Sequence, residues 1–381
     1  MVTPRQIRPK PGDVLVLVGT SKGAFLLHSN ASRRSWKLGG PFLAGNGLYA
    51  LAFDGRAGRS RIWAGAESGH FGAVLTSSDD FGKTWAKVEK PQLAFPAGSG
   101  TNLKRVWSIR PGREGEPDVL YAGTEPAALW ESRDAGKTWA LNAGLFGHPH
   151  RAKWEPGGGG QCLHTIVPDV DAPGRMLIAV STGGCYITED GGRSWSAQNK
   201  NIKVTFMPET YPEFGQCVHK IVQAPNAPGR FYLQHHWGVY RSDDAGATWK
   251  PVEKGLPSTF GFAMAAHPRC PDTAFVLPIE SDGFRCTPEG KLRVYRTTDA
   301  GKTWKAMTKG LPQKNALELV LRDGMDVDGC DPAGVYFGTK SGKVWASRDE
   351  GSSWTCIADG LPQVNCVKVA MVPRKAKKGR R

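Results

Sequence analysis

No apolar run in this chain is long enough to cross a bilayer, and Met1 to Gly12 lacks the apolar stretch of a signal peptide. A membrane partner is therefore not expected, and a cytoplasmic location is. The cysteines Cys162, Cys185, Cys217, Cys270, Cys286, Cys330, Cys356 and Cys366 contain no C-x-x-C spacing. Reduced thiols are the expectation, with neither a zinc knuckle nor a disulfide framework. The run Gly157 to Gly160 has no Lys-Ser/Thr after it and opens a strand, where a phosphate-binding loop opens a helix. No nucleotide cofactor is expected. The net charge of +15 lies mostly at the ends, in Arg5, Arg8 and Lys10 and in the tail Arg374, Lys375, Lys377, Lys378, Arg380 and Arg381. No aromatic residue is interleaved with that tail to stack on bases, which argues against a nucleic-acid partner.

What the chain has in abundance is turns, with 48 glycines and 27 prolines in 381 residues, and one pattern that repeats. Ser/Thr-x-Asp-x-Gly-x-Thr/Ser-Trp occurs at Ser78 to Trp85, Ser132 to Trp139, Thr188 to Trp195, Ser242 to Trp249, Thr297 to Trp304 and Ser347 to Trp354. A seventh copy, Ser29 to Trp36, has Ala31 and Arg33 in place of Asp and Gly. The closing tryptophans are 49 to 56 residues apart, the length of a four-stranded propeller blade. Within the octet, the Asp can fold back onto its own turn, the Gly supplies positive φ, and the Trp fills the space between sheets. The reading is all-β: a seven-bladed β-propeller of four-stranded antiparallel blades over residues 13–373, with a flexible arm at 1–12 and a basic tail at 374–381. Val14 to Gly19 and Phe25 to His28 match the second and third strands of a blade, so Val364 to Val372 is expected to supply its first strand and close the ring.

These octets resemble the BNR or Asp-box repeats of the sialidase superfamily, which also occur in sortilin-type receptors, some glycoside hydrolases and photosystem assembly factors. The resemblance implies a glycosyl hydrolase-like propeller whose site is on the face away from the boxes. Sialidases clamp a carboxylate with three arginines, for which Arg105, Arg151 and Arg285 are on the expected face, and use a tyrosine paired with glutamate, for which Tyr211 lies between Glu209 and Glu213. The sialidase Arg-Ile-Pro segment is absent, Arg61-Ile62 being followed by Trp63. A hydrolase other than a true sialidase is the expectation.

Strand order places His70, His148, His150, His164, His219, His235 and His236 on or beside that face. Gly160-Gln161-Cys162-Leu163-His164-Thr165-Ile166-Val167 recurs one blade later as Gly215-Gln216-Cys217-Val218-His219-Lys220-Ile221-Val222, so the two histidines are expected at one level near the axis. Alternation puts each beside its Cys and Ile. They read either as packed side chains or, with His235 or His236, as ligands of a divalent metal ion. Glu280 and Asp282, in the long hairpin Ile279 to Arg293, are the candidate acid and base, and His164 and His219 are further candidates for proton transfer. Arg105, Gln161, Gln216, Tyr211, Trp237 and Arg285 are the candidate contacts for a small polar or carbohydrate-like ligand. The alternative is a non-catalytic scaffold that binds a protein partner.

Overall fold

The computed structural model describes residues 3–69 and 72–374. Seven sheets follow one another around an axis, six with four antiparallel strands. The sheet of Gly47–Asp54, Arg61–Ser68 and Gly72–Ser78 has three, and beyond Trp85 the chain replaces a fourth strand with single bonds such as Ala86 N to Ser77 O, 2.8 Å, and Leu75 N to Gln92 Oε1, 3.2 Å. Blade 1 is made from both ends of the chain: Val364–Met371 pairs antiparallel with Val14–Thr20, which pairs in turn with Gly23–Ser29, and Gly23–Ser29 pairs with Lys37–Phe42. The closure read from the sequence is thus the one observed.

Each octet folds as its chemistry dictates. In the second blade, Ser78 Oγ donates to Asp80 Oδ1 and accepts from Gly82 N, while Asp80 accepts from Thr84 N at 2.8 Å and Thr84 Oγ1 at 2.7 Å. The same ladder recurs around Asp134, Asp190, Asp244, Asp299 and Asp349. The octet glycines, with φ between +84° and +93°, occupy the left-handed region that a Cβ disfavours. The degenerate octet puts Arg33 there at φ 53° and sends its guanidinium to Asp328, 3.1 Å away in blade 7.

Apolar side chains fill the gaps between blades. Among the described residues there are seven buried clusters, one for each pair of neighbouring sheets, including the seam of blades 7 and 1. Strands covered on both faces read as continuous apolar runs, as in Val14–Thr20. Trp249, 1% exposed, packs between blades 4 and 5 and donates Nε1 to Gln198 O.

The N-terminal arm does not hang free. Arg5 bridges Gly40 through two backbone hydrogen bonds, Ile7 is buried, and Gly12 N bonds Val372 O. Of the tail, only Arg374 belongs to the described residues.

Candidate functional site

The site is positioned by a one-residue slip that recurs in the innermost strands. Register shifts in six of the seven blades leave Asn365, Tyr49, Trp107, His164, His219 and the Phe262–Ala263 pair outside regular pairing. A bulge kinks its strand and re-aims its side chain. In blade 7 the chain makes a turn instead, with Gly324 N bonding Leu321 O, and presents Arg322 and Asp323 at the axis. The alternation expected for His164 and His219 therefore breaks at those residues.

This level separates two cavities along the axis, both touching Tyr49, Trp107 and Asp323. The cavity on the face away from the octets has a volume of about 590 Å³. Its aromatic lining comes from Tyr49, Trp107, Phe206, Phe214, Trp237, Phe260 and Phe262. Arg322 lies between two of them, its guanidinium carbon 5.0 Å from the Trp107 ring and 6.0 Å from the Phe262 ring, with Nη1 3.0 Å from Cys162 Sγ. Asp323 is buried and accepts from Lys220 Nζ at 2.6 Å and Lys368 Nζ at 2.9 Å. The two ammonium groups outweigh burial and hold its carboxyl well below the usual carboxylate range.

At one side of the cavity, Cys217, His219 and His236 each direct one donor atom to a common region, all within 4.8 Å of one another. His219 Nδ1 lies 2.6 Å from Gly261 O, and a carbonyl only accepts, so Nδ1 carries the proton and Nε2 a lone pair. That Nε2 is 3.5 Å from Cys217 Sγ. His236 Nε2 is 3.2 Å from Asp282 Oδ2, and its ring packs on Trp237 and Phe260. Burial lowers the pKa of both histidines below the ordinary imidazole value, and it raises that of the Cys217 thiol despite the nearby Arg322 charge.

The other candidates divide. Asp282, Arg285 and Trp237 line the cavity, and Arg285 Nε donates to Asp282 O. Glu280 is exposed and does not line it. Arg105 is committed to Glu67 through bonds of 2.6 and 3.1 Å and stacks on Tyr49, so its fork is already filled. Tyr211 is 61% exposed and also does not line the cavity. Gln161 and Gln216 fasten their own loops, donating to Trp154 O and Pro212 O, and the glycines before them have φ of +89° and +97°. The repeated motif is thus partly a loop anchor. His164 uses both nitrogens, Nε2 donating to Val218 O and Nδ1 accepting from Thr165 Oγ1. His235 is fully buried, accepts from Trp237 N, and has its pKa lowered to about 3 by burial. Of the four histidines grouped by sequence, only His219 and His236 come together around a shared point. His148 and His150 brace their loop against Trp195 O and Tyr186 Oη, and His70 lies outside the described residues.

The cavity residues missed from sequence include Tyr49, Trp107, Phe206, Phe214, Phe260, Phe262, Arg322 and Asp323. A signal existed for Tyr49 and Phe262, because a bulky ring recurs at the position of His164 and His219 when the innermost strands are aligned.

Buried neutral histidines make stability depend on pH. His164, His219 and His235 have folded pKa values below the unfolded value of roughly 6.5, so the unfolded chain binds more protons once pH falls under that value. Stability is full above it and is lost as pH drops toward the folded pKa values, at up to about 1.4 kcal/mol per pH unit for each histidine. Urea midpoints at pH 7.5 and 5.0 are expected to differ strongly, and His235→Phe to narrow the gap. Equal midpoints in the wild type would contradict the buried neutral state.

No known family model matches the chain. Over 264 residues it is 25% identical to the oligoxyloglucan-reducing end-specific xyloglucanase of Emericella nidulans, covering 61% of this chain and 30% of that one. The chain thus spans less than a third of that relative's length. Among solved structures it is similar to the GH74 enzyme of Niastella koreensis, with TM-score 0.59 and 19% identity over 90% of this chain and 52% of the other. It is also similar to YCF48 from Cyanidioschyzon merolae, with TM-score 0.52 and 14% identity over 81% of this chain and 84% of that one. The fold is shared with both. No described helix is long and apolar enough to cross a membrane.

Proposed function

We propose that the protein is a glycoside hydrolase-like enzyme that binds an oligosaccharide in the axial cavity. The supporting observation is the cavity lining itself: seven aromatic rings around a small polar group that includes Asp282, His236 and Arg285. Rings of this kind offer flat apolar faces to the C–H surfaces of sugars, while a few polar groups fix orientation. The partial likeness to a xyloglucanase supports the same reading.

Three carboxylates line the cavity: Glu155, Asp282 and Asp323. Asp323 is neutralised by its two lysines, which leaves Glu155, from the loop entering blade 4, and Asp282, from the hairpin of blade 6. Glycoside cleavage needs one carboxyl to protonate the leaving oxygen and one to act as base or nucleophile. Asp282 is assigned the second role, with His236 as its hydrogen-bond partner, and Glu155 the first. A panel of plant and microbial oligosaccharides, read by reducing-end release, tests this. On whichever substrate is cleaved, Glu155→Gln and Asp282→Asn should each lower kcat by roughly 10²–10⁴-fold, and Glu280→Gln should leave it unchanged. Unaltered turnover in both cavity variants would remove the assignment.

A second reading has one observation in its favour. Phe206, Tyr211 and Phe284 are more than half exposed on the loops of this face, as on a surface that docks a protein segment. Stable capture of a peptide together with no hydrolysis across the panel would favour it.

A further inference from the structure

We propose that Cys217, His219 and His236 form a site for a zinc-class divalent ion, opening into the axial cavity. Three features carry the inference independently of the hydrolase reading. The first is distance. Tetrahedral zinc holds sulfur at about 2.3 Å and imidazole nitrogen at about 2.0 Å, which sets a sulfur–nitrogen separation of about 3.5 Å. Cys217 Sγ and His219 Nε2 are 3.5 Å apart. An S–H···N hydrogen bond would account for that pair, but not for a third donor from His236 within 4.8 Å of both.

The second is support behind the ligands. The proton on His219 Nδ1 goes to Gly261 O, which fixes the ring with its lone pair toward Cys217. His236 Nε2 is 3.2 Å from Asp282 Oδ2, so coordination through Nδ1 would leave that carboxylate behind the ring. Ligating histidines are oriented in just this manner, by a backbone carbonyl or a carboxylate on the other side. The third is access. Cys217, His219, His236 and Asp282 all line the cavity, so three protein donors leave a coordination position facing solvent or a ligand, the arrangement of reactive rather than purely structural zinc.

The donor set of one thiolate and two imidazoles suits zinc or cobalt and disfavours calcium and magnesium, which take oxygen ligands. The Cys217 thiol must release its proton to solvent as the metal–sulfur bond forms, so affinity should rise with pH.

Cobalt(II) titration of the purified full chain tests the site without any assay of turnover. One equivalent should bind and produce a near-ultraviolet thiolate-to-cobalt charge-transfer band, and zinc should abolish it. Cys217→Ser should remove the band, His236→Ala should weaken binding by at least about 10-fold, and Cys270→Ser, at an exposed thiol, should change neither. His236 is only partly buried, so its variant remains informative if Cys217→Ser fails to fold. Absence of the band in the wild type, or its persistence in Cys217→Ser, would overturn the proposal. Loss of turnover in Glu155→Gln with cobalt binding intact would show the two sites to be separable.

Discussion

Deletion of Val364 to Arg381 is expected to leave no cooperatively folded protein. The lost strand supplies the innermost position of blade 1, pairing with Val14–Thr20 over its whole length. Val364, Cys366 and Val367 are fully buried, and the first two belong to different inter-blade clusters. Their removal opens the seams on both sides of blade 1 and exposes the inner edge of Val14–Thr20, an unpaired apolar template for aggregation. Lys368 is lost with them, so Asp323 keeps one of its two ammonium partners. Deleting only residues 375–381 removes charge and none of these contacts. The shorter deletion should melt like the wild type, while the longer one should be insoluble or show no cooperative transition. A soluble monomer with unchanged Tm after the longer deletion would contradict ring closure as the source of stability.

The contrast between what could be read in advance and what could not follows from range. Octets are local: Ser78, Asp80, Gly82 and Thr84 satisfy one another within a single turn, so their spacing in the chain reports their geometry directly. Closure was legible because the first blade visibly lacked a strand that the last segment resembled. The bulges were not, because a slip of one residue is invisible in composition yet redirects a side chain. That is why Cys217, named only as part of a motif, and Phe262, not named at all, join His219 at the cavity. His164 shares its motif with His219 but finds Val218 O and Thr165 Oγ1 instead, so identical short sequences serve different ends in neighbouring blades. Glu280 and Asp282 differ for another reason. Two residues apart in one hairpin, they part company because the turn, with Ser281 N bonded to Phe284 O, sends only Asp282 to the cavity. The triad Lys220–Asp323–Lys368 was beyond reach, since it joins blades 5, 7 and 1 across the axis and, although Lys220 sits in the repeated segment, Thr165 holds the matching place in the other copy and Asp323 and Lys368 belong to no motif.

That triad carries the other large expected effect. Asp323→Ala would leave Lys220, whose side chain is only 10% exposed, with a buried charge and no counter-ion from this group. Breaking one side of a buried pair costs about 3–5 kcal/mol, because the remaining ion stays desolvated. In a chain of this size that corresponds to a fall in Tm on the order of 4–6 °C. The pH dependence separates this effect from that of the histidines. Asp323 has its folded pKa depressed below the unfolded value of roughly 3.9, so its contribution is complete above that pH and is lost as pH falls toward the folded value. The gap between wild type and Asp323→Ala should therefore narrow below about 4, whereas the histidine contribution begins to be lost already below roughly 6.5. Burial already lowers the Lys220 pKa, which gives the variant a partial escape through deprotonation and sets the lower end of the expected loss. The double substitution Asp323→Ala, Lys220→Met removes the orphaned charge and should recover much of the deficit, a coupling that a simple cavity at residue 323 would not show. A single variant melting within a degree or so of the wild type would mean that the axis is wet enough to solvate Lys220.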